Sequence, residues 1–223
     1  MKRLWRRAAP YLWKTILGFY AFWIGSLILL RWIDPPTTGV HIQRRIESWF
    51  KKGPYEKRYQ PVSLAKISPH LQHAVIAGED TRFYSHFGLD FGAMHDAALD
   101  ATGERGRLRG ASTLTQQLIK NLFFTTHGNP LRKVIEWTLA PVADVILGKQ
   151  RVLELYLNVI EWGPGVYGAE AASRFHYRAA AASIGRDQAA RMAACIPAPR
   201  RRRPAAMNRY AAIIETRMNQ LGY

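Results

Sequence analysis

A chain of 223 residues with 48% hydrophobic and 22% charged side chains has the apolar mass for a packed core, which excludes global disorder. Its 32 Lys and Arg against 16 Asp and Glu leave a net charge of +16. Such a field suits nucleic acid, an anionic membrane surface or a phosphate-bearing substrate, and charge alone does not choose among them. The single cysteine, Cys195, excludes an internal disulfide and the usual cysteine-based metal sites, and its setting in RMAACIPAP reads as a buried structural thiol.

The first predicted element is a membrane anchor over residues 11–33, YLWKTILGFYAFWIGSLILLRWI. Its uncharged centre, Thr15 to Leu30, is short for a spanning helix, but Lys14 and Arg31 can snorkel to the headgroups and stretch the span to roughly 34 Å at ~1.5 Å per residue. Trp5, Tyr11 and Trp13 on one side and Trp32 on the other read as interfacial belts. Residues 1–10 form a basic amino terminus, in which Lys2, Arg3, Arg6 and Arg7 join Lys14 on that side. By the positive-inside rule this end stays in the cytoplasm and the remainder crosses. A cleaved signal peptide is the competing reading; RWIDPP, which follows the apolar run, lacks the small-x-small site that cleavage needs.

Residues 34–60 read as a stiff linker, Asp34 to Gly39, followed by a basic, aromatic juxtamembrane helix and loop. That segment suits anionic headgroups and equally suits an ordinary solvated helix. From 61 to 223 the apolar spacing turns to the helical period. Ser68-Pro69 opens a helix that stops near Gly78, and Ser112 caps another with Leu114, Leu118 and Leu122 on one face. Asn129-Pro130 starts a third, with Leu131, Ile135, Leu139, Val142 and Ile146 turned inward and Gly148 as its stop. Further helices are expected at 149–158, from Ala169 after the WGPGVYG turn, at 187–196 and at 205–221. No alternating strand run is evident, so the domain is predicted to be mostly α.

Four segments carry chemistry. In AGEDTRFYSHFGLDFGA, Glu79 sits just past Gly78 at a helix end, with Phe83, Tyr84 and Phe87 to strip it of solvent. Such a carboxylate titrates nearer neutrality and suits acid–base work; an ion pair with Arg82 is the bland alternative. In RGASTLTQQLIKNLF, the residues Thr113, Gln116, Gln117 and Lys120 fall on one stripe, which holds no acid and suits sugar and phosphate better than a solvated face does. In LRKVIEWTLA, Arg132 and Lys133 stand one turn before Glu136, the spacing of an ordinary surface ion pair. In KQRVLELYLNVIEWGPGVYG, Leu153, Tyr156 and Leu157 face the core, while Glu154 and Asn158 are placed to hold buried backbone.

In this order, the four segments resemble the peptidoglycan glycosyltransferases, lysozyme-like transglycosylases that also form one half of bifunctional penicillin-binding proteins. The likeness spans roughly Pro61 to Pro204, from Glu79-Asp80 with Phe83, His86 and Gly88, through GASTLTQQLIKN and Arg132-Lys133 with Glu136, to RVLELYLN. Ala111 departs from it, standing where the family usually has a second glycine, which bears on the flexibility of that loop. With the chain ending at Tyr223, the resemblance is to the monofunctional biosynthetic form. It implies a mostly α, lysozyme-like domain behind the anchor. That domain would polymerise lipid II, a disaccharide-pentapeptide on undecaprenyl diphosphate, into β-1,4-linked glycan in the periplasm. Glu79 would be the base, with Lys120, Arg132 and Lys133 on the diphosphate and Thr113, Gln116, Gln117 and Asn121 on the substrate. Asp80, Phe83 and His86 would bind the substrate as well, Asp80 as a supporting residue beside Glu79. Glu136 would be the second catalytic carboxylate, orienting the cations or sugars or sharing a divalent ion (Mg2+ or Mn2+) with the diphosphate, although no cofactor is required. Membrane lipids and cell-wall synthesis or division proteins are the implied partners. Nucleic acid is not, because the PRRRRP run would lie across the membrane from the chromosome. A lytic, glycan-cleaving relative is the nearest rival; it also needs an acid at such a helix end, but no cationic stripe.

Overall fold

The computed structural model describes residues 2–50, 54–101 and 112–223. Ala111, with the loop flexibility expected of it, lies outside these, as do the side chains of Trp5 and the amino-terminal cations. The chain builds nine α-helices among the described residues: α1 (Lys2–Leu30), α2 (Gly39–Trp49), α3 (Pro69–Glu79), α4 (Phe91–Ala101), α5 (Leu114–Phe123), α6 (Pro130–Val159), α7 (Ala169–Tyr177), α8 (Arg186–Cys195) and α9 (Asn208–Gln220). The mostly α expectation holds. Sequence periodicity nevertheless passes over α4 and over a small sheet of β1 (Arg58–Tyr59), β3 (Val166–Tyr167) and β2 (Glu161–Gly163), in that spatial order. Strands of two and three residues are too short to alternate visibly, and the WGPGVYG turn is the hairpin that joins β2 to β3.

The core gathers α3, α5, α8 and the second half of α6 around Leu71, Ile76, Leu114, Leu118, Leu153 and Tyr156, all at most 1% exposed. Helix α3 is enclosed by α8 and α9, and α5 lies along α6. Within α6, Gly148 adopts φ 74°, ψ 157°, so the helix breaks at the stop the sequence places there and resumes at once. The inward stripe of its first half is Leu139, Ala143 and Leu147; Leu131, expected inside, is exposed because its turn projects beyond the core. Asn129 caps α6 as expected, its side chain accepting from Leu131 N. The cap of α5 is Thr113 rather than Ser112: Thr113 Oγ1 accepts from Gln116 N while Gln116 Oε1 accepts from Thr113 N, each at 3.2 Å. Helix α9 begins at Asn208, after a short 3-10 turn at Pro204–Ala206.

Helix α1 contains the one stretch among the described residues long and apolar enough to cross a membrane, Trp13–Leu30, and most of its side chains are exposed. It is not a loose tether. Leu27 is fully buried, Trp23 packs on Phe123 with ring centroids 4.4 Å apart, and the Tyr20 hydroxyl bonds Thr138 Oγ1 at 2.8 Å. At its end α1 and α6 exchange arginines: Arg31 donates to Ile146 O and Arg151 Nε to Leu30 O. The Asp34–Gly39 linker is pinned as well, since Tyr59 OH donates to Pro35 O at 2.7 Å and Thr38 caps α2. The register of α6 therefore follows that of the anchor.

Candidate active site

Helix α3 runs to Glu79 and stops, because Asp80 leaves the helical region at φ −156°, ψ 77°. Adjacent carboxylates thus diverge. The Asp80 carboxylate turns inward, meeting His86 Nε2 at 3.0 Å and accepting from Leu114 N, the first amide of α5, at 2.9 Å. A carboxylate on the orphan amides of a helix start is favourable. Thr113 Oγ1 donates to Gly88 O at 2.6 Å, which binds the 80–90 loop to α5 a second time. Only glycine fits position 88: φ is 74°, and a Cβ there would stand 2.5 Å from the Ala140 backbone. Asp80, His86, Gly88, Thr113 and Gln116 therefore act together to fix the start of α5 relative to the end of α3. Phe83 is fully buried and supports this turn, with the Lys149 ammonium 4.7 Å from its ring centroid.

That frame brings Glu79 and the exposed side of α5 together. Glu79 Oε2 accepts from Gln117 Nε2 at 2.8 Å, and Gln117 Oε1 accepts from the Tyr156 hydroxyl at 2.9 Å. Glu79 makes no ion pair among the described residues; Arg82, the alternative partner read from sequence, goes to Asp90 at 2.7 Å. Burial, above all, raises the Glu79 pKa above the ordinary carboxylate range. Asp80 adds to this, while the Gln117 bond and the charges of Lys120 and Arg202 oppose it. The aromatic wall differs from expectation in one respect: Tyr84 and Phe87 point to solvent, while Phe83 is fully buried.

Across from Glu79 lies a cationic floor. Lys120 forms no hydrogen bond or ion pair among the described residues, and burial lowers its pKa, with nearby Glu136 and Glu79 pulling it back. Glu136, 2% exposed, is held by Arg132 Nε at 2.9 Å and Lys133 Nζ at 3.4 Å. The Lys133 ammonium also donates to Ser112 Oγ at 2.8 Å, and Arg132 Nη1 to Thr125 O. The predicted i, i+4 and i, i+3 pairs are therefore present, but as a buried clamp rather than a surface decoration. Asn121 turns back on α5, donating to Gln117 O at 2.7 Å. Both Glu136 oxygens face cations, and among the described residues no group of three His, Cys, Asp or Glu is placed to hold an ion.

Sequence reasoning correctly gave Glu154 and Asn158 to the backbone: they accept from Leu64 N at 2.6 Å and Val62 N at 3.0 Å. It missed buried Asp144, which accepts from Thr115 Oγ1 and pairs with Lys149 at 2.6 Å; the signal was an acid inside the apolar run of α6. It also counted Tyr156 only as core, although the hydroxyl reaches the site. The PRRRRP run is mostly engaged in the fold. Arg200 reaches Glu47 at 3.3 Å and Arg202 donates to Ala194 O at 2.7 Å.

A helical domain fixed to a membrane-length helix thus places a carboxylate near a lysine that has no hydrogen bond or ion pair among the described residues and near a clamped arginine and lysine, an arrangement suited to acid–base chemistry on an anionic substrate. The transglycosylase family model matches residues 44–221, most of the chain, and the chain belongs to that family. It is similar to proteins named biosynthetic peptidoglycan transglycosylase. The one from Pseudomonas entomophila (strain L48) is 40% identical over 213 residues, covering 94% of this chain and 90% of the relative. Those from Pseudomonas fluorescens (strain SBW25) and Ectopseudomonas mendocina (strain ymp) are 44% and 42% identical over 200 residues. These alignments take in 88% of this chain and 83% and 82% of the relatives.

Proposed function

We propose that this enzyme polymerises lipid II into β-1,4-linked glycan with Glu79 as the general base. The reading is carried by one observation: a buried carboxylate with no cation in contact lies in the field of Lys120, whose ammonium has no protein partner among the described residues. A base must hold a free, basic oxygen, and a diphosphate leaving group needs cations not already neutralised. Glu79 takes the proton of the acceptor GlcNAc 4-hydroxyl as that oxygen attacks the anomeric carbon of the growing chain's MurNAc. The bond from that carbon to the diphosphate oxygen breaks, the centre inverts, and undecaprenyl diphosphate departs with the electron pair. Lys120, Arg132 and Lys133 receive the diphosphate charge, and Glu136 keeps the last two in place.

The anchor suits substrates that keep their polyprenyl tails in a bilayer, since a cleft fixed at the surface searches in two dimensions. The basic amino terminus supports a cytoplasmic start and a periplasmic catalytic domain. Helix α2 supports a surface-lying posture, with Ile42, Ile46, Trp49 and Phe50 exposed along one side. Division or cell-wall synthesis proteins are natural partners at that surface. The test is incubation of the purified protein with lipid II and, separately, with finished glycan. Polymer from the first and no cleavage of the second is expected, and cleavage without polymer would overturn the reading.

A further inference from the structure

We propose that Tyr156 is a positioning residue for Glu79 and acts through the Gln117 amide. This rests on the reading of Glu79 as the base. Tyr156 is fully buried, and its hydroxyl meets no hydrogen-bond partner other than Gln117 among the described residues. A glutamine amide can turn over, exchanging its oxygen and nitrogen. In one orientation Tyr156 donates to Gln117 Oε1 and Gln117 Nε2 donates to Glu79 Oε2, so every group has a complementary partner. In the other, the amide oxygen faces the Glu79 carboxylate, acceptor against acceptor, and the buried tyrosine proton loses its partner. Tyr156, together with the Ser112 carbonyl that Gln117 Nε2 also approaches at 3.5 Å, thus selects the orientation in which Gln117 holds Glu79.

The consequence falls on a single atom. With Oε2 occupied by Gln117, the other carboxylate oxygen of Glu79, Oε1, accepts no hydrogen bond among the described residues and is not sealed from solvent. That oxygen is left to receive the acceptor's proton. The chain from Tyr156 through Gln117 also reaches Glu79 from the core, so the carboxylate is held by α6 and α5 rather than by its own helix end. The other groups that face Glu79 electrostatically are Lys120 on α5, Arg202 between α8 and α9, and Asp80 beside it, and none belongs to this chain of bonds.

Tyr156→Phe removes one hydroxyl and leaves those charges and the ring in place. Expected are a kcat for lipid II polymerisation lower by roughly tenfold, from a bond to a charged group made less well, and a KM within about twofold. Because the Gln117 bond favours the ionised form, the acid limb of kcat/KM should also move to higher pH. Gln117→Ala should move that limb the same way and further, and adding Tyr156→Phe to Gln117→Ala should change nothing more. A Tyr156→Phe enzyme with wild-type kcat and acid limb would overturn the proposal. So would an equal fractional loss in the Gln117→Ala background, the sign of general core damage. If Tyr156→Phe fails to fold, Gln117→Ala alone decides, and an unmoved acid limb rejects the relay. Glu79→Gln separates the two readings. Full activity there removes the base assignment altogether, whereas an inactive Glu79→Gln beside a wild-type-like Tyr156→Phe removes only the relay.

Discussion

The two carboxylates of the candidate site are built in opposite ways. Glu79 ends a helix, touches a neutral amide, has no ion partner among the described residues and is pushed toward the protonated form by burial. Glu136 sits inside a helix, more fully removed from water at 2% exposed, and between a guanidinium and an ammonium one turn away. The first arrangement keeps a carboxylate basic at a cost in stability. The second sets a carboxylate between two cations and holds them in place. The two environments match the tasks proposed for them: proton transfer for Glu79, placement of charge for Glu136. Residue type alone does not separate them.

The largest break in this comparison is Glu79→Gln, expected to lower polymerisation by a thousandfold or more, about the upper contribution of a general base. Its effect on stability has the opposite sign. The folded pKa of Glu79 lies above its unfolded value, so at every pH above that unfolded value the ionised side chain destabilises the fold, and a neutral amide relieves this. The melting temperature at neutral pH should rise by about 2–4 °C for roughly 1 kcal/mol in a chain of this length. Lys120→Ala comes next, with a loss on the order of a hundredfold in kcat, larger than any single Arg→Ala change among Arg200 to Arg203, whose side chains are mostly engaged in the fold. Glu136→Gln should cut activity less and reduce the melting temperature by roughly 5–10 °C, because it leaves two cations without their buried partner. A rise in melting temperature there would erase the distinction between the two acids. Smallest is Thr113→Ala, which removes the α5 cap and the bond to Gly88. It should lower stability by about 1–2 kcal/mol in denaturant melts while leaving the chemistry largely intact.

Much of this was legible in the sequence because it is local. The anchor, the helix starts at Pro69 and Pro130, the break at Gly148 and the Arg132, Lys133 and Glu136 spacing all follow from neighbours within a turn or two. What escaped depends on segments far apart in the chain. Thr113 and Gln116 lie on the polar stripe of α5, but their side chains are used in its cap, and only the position of Asp80 and Gly88 shows why. The Tyr156 hydroxyl is 39 residues from Gln117, and a tyrosine on a core face carries no sign of what its polar end will meet. Strands β1 and β3 pair across more than a hundred residues with two residues each, which no periodicity reveals. The docking of α1 on α6 is equally long-range, so an anchor that reads as a simple span is also a wall of the domain.

The most direct test of the account is the pH dependence of kcat/KM for lipid II polymerisation by the intact, membrane-anchored enzyme. The account predicts an acid limb governed by one group whose apparent pKa is displaced upward from that of an exposed glutamate, as burial of Glu79 requires. A limb at or below the ordinary carboxylate range, or activity that persists unchanged into acid, would contradict it.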